Sequence, residues 1–367
     1  MPLQSLKPNP GRTSALFPSA DSISVGIVSA GMYLPEPVLT AAEIAEESGL
    51  PEWVVRDKLG IHQKHMAGPE DHPNEMAIKA AQDCLSKTHI PAEEIDVVLC
   101  TTEEWREYLL WTSAIHLAYE IGATNAWGID LHTRCCTTVA ALKMAKDMMI
   151  SDPEINTVLI GGGYRIGDLI NLKNLRTSFL FNIGAGAGAL LLRRGWPNNR
   201  VLGSHLITDG SMSKHVVVPA SGTVQFPTDE AVAKGLFYFD LVEPEAMKNR
   251  LNEVSMDNWM FCIDEALRKS GEEVRGQPYT REDLGFLNMV LIKPSAYRDM
   301  LQRLGLSEEQ GVYNADIGHV GEQDSIINIL RGQEQGRLQD GDLMAIVGAG
   351  IGYVWGATCV QWGPSAA

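Results

Sequence analysis

The pattern of apolar and polar positions divides the chain into short buried strands that alternate with amphipathic helices. Apolar runs rich in β-branched residues predict strands at 95–100, 158–160, 289–292 and 344–347. Helical periodicity predicts helices over 75–86, 136–150, 256–269 and 295–304. This alternation is typical of an α/β architecture whose strands are covered on both faces.

The order of these features occurs twice along the chain. In each half a strand leads to a helix that opens at a Ser-Ala pair, then to an extended piece that ends at Asp130 or Asp316. A helix start and a further strand follow, with offsets of one to three residues between the copies. Cys135 and His319 therefore fall at equivalent places. Two copies related by an approximate two-fold axis would bring both to one central point.

Length and composition fit two domain-sized halves. The 367 residues are 45% hydrophobic and 21% charged, which is ordinary for globular proteins. We expect a loose polar arm over 1–21, an N-terminal half over 22–195 with the nucleophile, and a C-terminal half over 196–367 with His319. The arm has no apolar signal-peptide core, and no stretch approaches the ~18 apolar residues of a membrane helix.

Charge and cysteine content narrow the range of functions. The formal net charge of -16 argues against nucleic-acid binding, which requires a basic footprint. An acidic partner would need a local basic patch. The six cysteines show neither zinc-ligand spacing nor a disulfide framework, so we expect reduced thiols, no metal and a cytoplasmic location. His62 and His65 are expected at the surface.

The strongest candidate for chemistry is Cys135. A thiol at a helix N-terminus is shifted toward thiolate, and His132 and Arg134 would add positive charge. His319 from the other half would take the thiol proton or protonate a leaving group. A lone cysteine or histidine is more often structural, but the matched positions of this pair favour catalysis. Cys136 competes as nucleophile, although only one of two adjacent helical residues can face the site.

Two further segments have alternative interpretations. The glycines of 184–188 precede a strand rather than a helix, which favours a structural turn over a nucleotide loop. Those of 350–352 would let backbone approach a ligand closely and offer an oxyanion donor. Glu103 and Glu104 after the first central strand are interpreted as a solvated pair, with an acid or base role as the alternative.

Over roughly 22–363 the chain resembles the β-ketoacyl-acyl carrier protein synthase III branch of the thiolase superfamily. The spacing from Asp130 to Cys135 matches the nucleophile segment of that family, and 350–356 matches its C-terminal glycine-aromatic turn most specifically. The resemblance implies a thiolase fold, with two pseudo-symmetric halves in a five-layered αβαβα sandwich. It also implies Cys135 as nucleophile, with the amides of Cys135 and Ile351 as the oxyanion hole.

The resemblance also implies substrates and partners. Trp53 matches the tryptophan that stacks on coenzyme A, and Arg56 and Arg298 match basic residues for its phosphates. Together with Lys58 and Lys64 they would form a basic patch for an acidic acyl carrier protein. The expected substrates are acyl-coenzyme A or acyl carrier protein thioesters, without a permanently bound cofactor, and the expected assembly is a homodimer.

Three positions depart from the family pattern or add to it. Lys293 stands where the family has its catalytic histidine, and His319 stands where it has an asparagine. The Gly318-His319 pair resembles that of thiolases, so a base near the thiol is retained. Lys293 would stabilise an anion or contact solvent or a carboxylate. Thr102-Glu103 resembles hydroxymethylglutaryl-coenzyme A synthases, where the glutamate is an acid or base.

The leading functional prediction is an acyltransferase of the EC 2.3.1 type. An acyl thioester loads Cys135 with help from His319, and a Claisen condensation in fatty-acid or polyketide biosynthesis follows. Transfer to an oxygen or nitrogen acceptor, without decarboxylation, is the second hypothesis. A degenerate structural subunit is the third. The depth of the acyl pocket would depend on residues whose side-chain directions the sequence does not give: Trp105, Tyr108, Leu109, Leu110 and Trp111.

Overall fold

The computed structural model describes residues 23–364, so the arm predicted for 1–21 lies outside the described residues. Its strands are β1 Val25–Tyr33, β2 Val38–Thr40, β3 Gln63–His65, β4 Val97–Cys100, β5 Trp127–Asp130, β6 Thr157–Tyr164, β7 Gly186–Arg194, β8 Asn198–Thr208, β9 Val216–Val217, β10 Asp240–Leu241, β11 Phe286–Met289, β12 Leu343–Gly350 and β13 Val354–Pro364. Its α-helices are α1 Ala41–Ser48, α2 Pro73–Ser86, α3 Ser113–Glu120, α4 Thr137–Ser151, α5 Asp229–Ala233, α6 Pro244–Arg275, α7 Pro294–Leu304 and α8 Asp324–Glu334.

Within residues 23–364, nine strands join in the order β11-β12-β13-β8-β1-β7-β6-β4-β5. The junction between β1 and β8 is a single bridge between Gly26 and Arg200, which divides the array into two series. In each series the strands matched by the sequence repeat pair in parallel, β4 with β6 and β11 with β12. Each series then continues through antiparallel strands.

Alternate side chains of the strands enter different layers of the core. On β4, Val97 and Leu99 pack with α4, α8 and strands of both series, whereas Val98 and Cys100 pack with α2 and α3. On β12, Ala345 and Val347 face the core that contains residues of α6 and α7. This period of two produces helix, sheet, helix, sheet and helix layers, with α4 and α8 in the middle. The mixed α/β class and the five alternating layers expected from the sequence are confirmed.

Helix ends follow local chemistry. Helices α2, α6 and α7 begin at Pro73, Pro244 and Pro294, where a missing N–H costs nothing. Helices α6 and α7 end before Gly276 and Gly305, both left-handed with φ 70° and 73°. The start of α7 matters most for the site, because it fixes Lys293 as the residue immediately before the helix.

Most predicted elements are present, with shifted ends. The strand expected at 289–292 lies at Phe286–Met289, and the helix expected at 256–269 extends over Pro244–Arg275. The extended piece expected to end at Asp316 contains only a parallel bridge between Gly311 and Leu287. The division at 195/196 stays a prediction, and it falls in the turn between β7 and β8.

Candidate active site

Cys135 lies in a single 3-10 turn, Arg134–Cys136, between β5 and α4. Asp130 at the end of β5 accepts hydrogen bonds from the backbone of Ser113 and Ala114 at 3.1 and 2.9 Å. Arg134 has a left-handed backbone with φ 55°, uncommon for a residue with a side chain. The anchored strand end and the strained residue fix the turn that presents Cys135.

The two adjacent thiols have different surroundings. Cys135 is half-buried and lines a large cavity, whereas Cys136 is fully buried. Burial raises the pKa of the Cys136 thiol well above its ordinary value. Since a nucleophile must be deprotonated and accessible, the geometry favours Cys135.

Glycines at the end of β12 let that strand approach the nucleophile turn. A Cβ on Gly348 would lie 2.9 Å from the Cys135 carbonyl oxygen, and one on Gly350 would clash with the Thr133 carbonyl oxygen. These glycines therefore accommodate backbone rather than a ligand. Ile351 follows directly and lines the cavity. Its role as oxyanion donor stays a prediction.

His319 comes from the second half on a loop held by backbone hydrogen bonds. Its N–H donates to the Asn182 carbonyl at 2.7 Å, and its carbonyl accepts from the Gly184 N–H at 2.9 Å. The preceding residue, Gly318, has φ 89° and is packed against Lys64. The segment around 184 is thus a structural turn, as expected, and it helps to fix the histidine.

Three side chains form a connected line at this point. His319 Nε2 lies 3.1 Å from Cys135 Sγ, and His319 Nδ1 lies 2.5 Å from Asp324 Oδ2. Asp324 is buried at the start of α8 and accepts N–H bonds from Leu291 and Val320 at 2.8 and 2.7 Å. A nucleophile, a base and a group that orients the base are therefore in line.

Electrostatics favour a proton on His319. Burial by itself lowers the pKa of His319, but the Asp324 carboxylate and the Cys135 sulfur outweigh burial and raise it well above its ordinary value. These contacts favour the imidazolium form of His319, which faces the sulfur of the nucleophile.

Sequence reasoning missed Asp324. The available signal was an aspartate at a helix start five residues after His319, but that spacing alone does not predict contact with the imidazole.

Glu103 and Glu104 do not form the solvated pair expected from the sequence. Glu104 is half-exposed, but Glu103 is buried, with Oε2 2.7 Å from Arg134 Nη1. Burial raises the pKa of Glu103 despite this ion pair. Arg134 contacts both carboxylates, so its charge is compensated rather than directed at the thiol. His132 Nε2 lies 2.8 Å from the Thr102 carbonyl.

Sequence reasoning also missed two buried neighbours of this acidic cluster. Glu322 is fully buried, and burial followed by repulsion from Glu103 raises its pKa well above the usual range. Its Oε2, like Oε1 of Glu103, has no hydrogen-bond partner among the described residues. The Tyr164 ring packs against Gly321, 6.3 Å from the His319 ring. The raised pKa favours the protonated form of Glu322.

Lys293 lies apart from the Cys135–His319–Asp324 line. It is exposed immediately before α7, and it lines the cavity together with Ala296. Within residues 23–364 no hydrogen bond or ion pair joins Lys293 to Cys135 or His319. Its proposed role as an anion partner stays a prediction.

The residues predicted for coenzyme A binding lie on adjacent elements. A Cβ on Gly60 would meet Pro294, so the segment that bears Trp53 and Arg56 packs on the start of α7, which carries Arg298. All three side chains are exposed, and Arg56 lies 3.6 Å from Glu52.

Lys64 does not belong to the basic patch, so that part of the prediction is wrong. It is 1% exposed, and its ammonium donates to the Ile183 carbonyl at 2.8 Å. Burial lowers its pKa to about 8. The alternation of β3 turns Lys64 inward between the two loops that position His319, a direction that the sequence did not reveal.

One cavity of about 1420 Å³ connects Cys135, His319, Lys293 and Ile351. Trp105, Tyr108 and Leu109 line it, as expected for pocket residues, but Leu110 is fully exposed. Much of the wall comes instead from residues 213–259, a region to which the sequence assigned no role. Within residues 23–364, no helix is both long and apolar enough to cross a membrane.

The comparisons with known proteins agree with this architecture. The profile of 3-oxoacyl-[acyl-carrier-protein] synthase III matches residues 129–210, and the profile of its C-terminal domain matches 275–362. The chain is 28% identical to β-ketoacyl-[acyl-carrier-protein] synthase III of Symbiobacterium thermophilum, over 92% of this chain and 98% of that protein.

Two solved structures share the fold. The 3-oxoacyl-(acyl carrier protein) synthase III of Pseudomonas aeruginosa superposes with a TM-score of 0.77 at 22% identity, over 92% of this chain and 98% of that one. The priming β-ketosynthase of the R1128 polyketide pathway gives 0.76 at 22% identity, over 93% and 97%. The fold is the thiolase fold. Along most of its length the chain is similar to β-ketoacyl-[acyl-carrier-protein] synthase III proteins.

Proposed function

We propose that this protein is an acyltransferase that carries an acyl group on Cys135 and passes it to a carbon nucleophile in a Claisen condensation. The observation that carries the proposal is the 3.1 Å contact between Cys135 Sγ and a histidine oriented by Asp324, at the wall of a large cavity. The function named for the relatives supports the same class of reaction.

In the first half-reaction the Cys135 sulfur attacks the thioester carbonyl carbon. The oxyanion is received by the backbone N–H groups of Cys135 and Ile351. When the carbon–sulfur bond of the donor breaks, the imidazolium of His319 gives its proton to the departing thiol. Acyl-Cys135, a free thiol and neutral His319 result, and His319 then regains a proton from solvent.

In the second half-reaction a malonyl thioester loses carbon dioxide, and its α-carbon attacks the acyl carbonyl. The Cys135 sulfur leaves as thiolate and re-forms its pair with His319. The donors and acceptors are proposed to be coenzyme A and acyl carrier protein thioesters. Trp53, Arg56 and Arg298 would contact the adenine and phosphates near Leu59 and Ala296, which line the cavity.

Intact-protein mass spectrometry tests the first half-reaction. The wild type, Cys135→Ala and the matched control Cys136→Ala are incubated with a panel of acyl-coenzyme A thioesters. We expect an acyl mass gain in the wild type and the control and none in Cys135→Ala. Loading that persists in Cys135→Ala would refute the assignment. No loading in any protein would favour the degenerate structural subunit.

The position of Lys293 favours one second candidate, acyl transfer to an oxygen or nitrogen acceptor. Lys293 is exposed where the family has a catalytic histidine, so the usual pair of groups for decarboxylation is incomplete. Acylated protein is given malonyl thioester, and released carbon dioxide is measured. Release together with loss of the acyl adduct supports condensation. Retention of the adduct until an alcohol or amine is added supports the alternative.

The proposed assembly is a homodimer in the cytoplasm. The edge strand β5 and the neighbouring α3 expose apolar side chains, including Trp127 and Tyr119, that a second copy would cover. The six cysteines are unpaired, as expected in a reducing compartment.

A further inference from the structure

The cavity beside Cys135 is larger than a small acyl group requires. At about 30 Å³ for each water-sized group, about 1420 Å³ holds roughly 47 such groups. An acetyl group on Cys135 would fill only two or three of them. Ligand cavities for small molecules are typically smaller than this. Part of the volume belongs to the donor's thioester arm, so the lining of the rest indicates what the acyl group is.

Two sets of residues in the cavity wall bear on what the cavity holds. Leu59, Lys293 and Ala296 belong to the segments proposed to contact coenzyme A. The other set comprises the apolar side chains that β13 and the region between β8 and β11 contribute, beside polar ones such as Lys214 and Gln225: Val216, Phe237, Phe239, Leu251, Trp259 and Trp355. The second set is in excess of what the thioester arm of the donor needs.

The polar atoms of this second wall already have partners within the protein. The Trp259 indole N–H donates to the Gly348 carbonyl at 3.3 Å, and the Trp355 indole N–H donates to Ser255 Oγ at 3.2 Å. Phe237 is in edge contact with Trp105 at 5.5 Å between centroids. The indole N–H groups are therefore unavailable to a ligand, and the wall offers ring and aliphatic surface instead.

We infer that the acyl group carried by Cys135 is large and apolar, a long alkyl chain or an aromatic group, rather than acetyl. This inference rests on the proposed acyl loading. Water against such a wall is displaced favourably by hydrocarbon. Each buried methylene adds about fourfold in kcat/KM until the wall is filled.

The test compares acyl donors of increasing size. Rates of adduct formation on Cys135 are measured with acetyl-, octanoyl-, dodecanoyl- and benzoyl-coenzyme A. We expect kcat/KM for dodecanoyl- or benzoyl-coenzyme A to exceed that for acetyl-coenzyme A at least about 100-fold, since several methylenes are buried. Efficient loading by acetyl with rejection of the larger donors would overturn the inference and leave the proposed function intact.

Binding to Cys135→Ala separates the pocket from the chemistry. Calorimetric titration of this variant measures affinity without acyl transfer. We expect dodecanoyl-coenzyme A to bind at least about tenfold more tightly than acetyl-coenzyme A. Equal affinities would overturn the inference even if loading occurs. Tighter binding of dodecanoyl-coenzyme A without loading by any donor would sustain the apolar pocket and refute the transferase step.

A matched pair of substitutions on α6 localises the pocket. Leu251→Trp fills part of the apolar wall, so dodecanoyl loading should fall at least tenfold while acetyl loading changes little. Asp257→Trp places the same ring on an exposed part of that helix and should leave both rates unchanged. Equal effects of the two substitutions on dodecanoyl loading would mean that the acyl chain lies elsewhere.

Discussion

The protonation state of the His319 side chain depends on its contacts with Asp324 and with the Cys135 sulfur. Asp324 contacts its Nδ1 and carries two backbone N–H bonds, so the carboxylate is fixed in place. Because this carboxylate raises the pKa of His319, the imidazolium persists at neutral pH and can protonate the departing thiol. Activity should therefore depend on Asp324 even though it does not line the cavity.

Asp324→Asn should lower the acyl-loading rate at pH 7 roughly 100-fold or more, as for other aspartates that orient a catalytic histidine. Without the carboxylate the pKa of His319 falls, so the imidazolium is lost at lower pH. The alkaline limb of the loading rate should move to lower pH, which a pH series on the variant measures. Asp316→Asn, on the same loop but paired with Arg331, is the control. An unchanged limb in Asp324→Asn would contradict this role.

Lys64 is a buried cation with one hydrogen bond, and its charge destabilises the folded state. The unfolded chain keeps the proton up to the ordinary pKa of 10.5, whereas the folded chain releases it near the lowered pKa of about 8. Between these values the unfolded state binds more protons, so stability rises with pH. Below pH 8 the full penalty of about 3 kcal/mol is present.

Lys64→Met should raise the free energy of unfolding at pH 7 by about 2 kcal/mol, after allowance of about 1 kcal/mol for the lost bond to Ile183. The rise in stability between pH 8 and 10.5 should disappear. Urea unfolding at pH 7 and 9.5 measures both effects. The exposed Lys58→Met should change neither. A Lys64→Met protein less stable than the wild type would show that a further interaction stabilises the Lys64 ammonium in the folded chain.

At the scale of residues, the sequence predicted which residues form the site better than it predicted the contacts that those residues make. Cys135 and His319 were found from their matched places in the repeat, and the structure brings them together. Asp324, Glu322 and the inward direction of Lys64 depend on contacts across loops. Local periodicity carries no signal for such contacts.

At the scale of elements, the end of β12 and the nucleophile turn fit each other through glycine. Gly350→Ala would bring a methyl group against the Thr133 carbonyl and 2.7 Å from the Arg134 Cβ. Relieving this overlap should cost about 1–3 kcal/mol and displace both the turn and Ile351. We expect a lower melting temperature together with slower acyl loading.

The control for Gly350→Ala is Gly210→Ala, where a Cβ would meet nothing within 4 Å and which does not line the cavity. It should leave the melting temperature and the loading rate unchanged. If Gly350→Ala were stable and fully active, the approach of β12 would not determine the geometry of the site.

Element prediction succeeded where apolar periodicity is strong and local. Helix α4 and strand β4 lie close to their predicted ranges, whereas β6, predicted at 158–160, extends over Thr157–Tyr164. The strand after α6 begins and ends three residues earlier than predicted. The prediction was misled by the apolar residues 290–292, which follow the strand and line the cavity. Helix α6 begins at Pro244, but its first turns carry many charged residues and hide the apolar periodicity. The cavity-forming region 213–243 has short, irregular elements and gave no pattern.

At the scale of the whole molecule, one end of the strand array is an edge strand that pairs on one side only within the described residues. β5 is an edge strand, and Trp127 and Ile129 point outward on it, 50% and 38% exposed. Ile115 and Tyr119 on α3 extend this surface at 61% and 76%. An acidic chain with a net charge of -16 repels its own copies at long range, so association requires a short-range apolar surface. This surface is suited to a two-fold contact with a second copy.

Ile129→Lys should convert a dimer to monomers, because it places two like charges near the two-fold axis and removes apolar contact. Light scattering during size exclusion should give about 80 kDa for the wild type, twice the 40.1 kDa of the chain, and the single-chain mass for the variant. Val274→Lys changes an exposed valine on α6 and should stay dimeric. A dimeric Ile129→Lys would place the contact elsewhere. Since the nucleophile turn follows β5 within five residues, the monomeric variant should also load acyl groups more slowly.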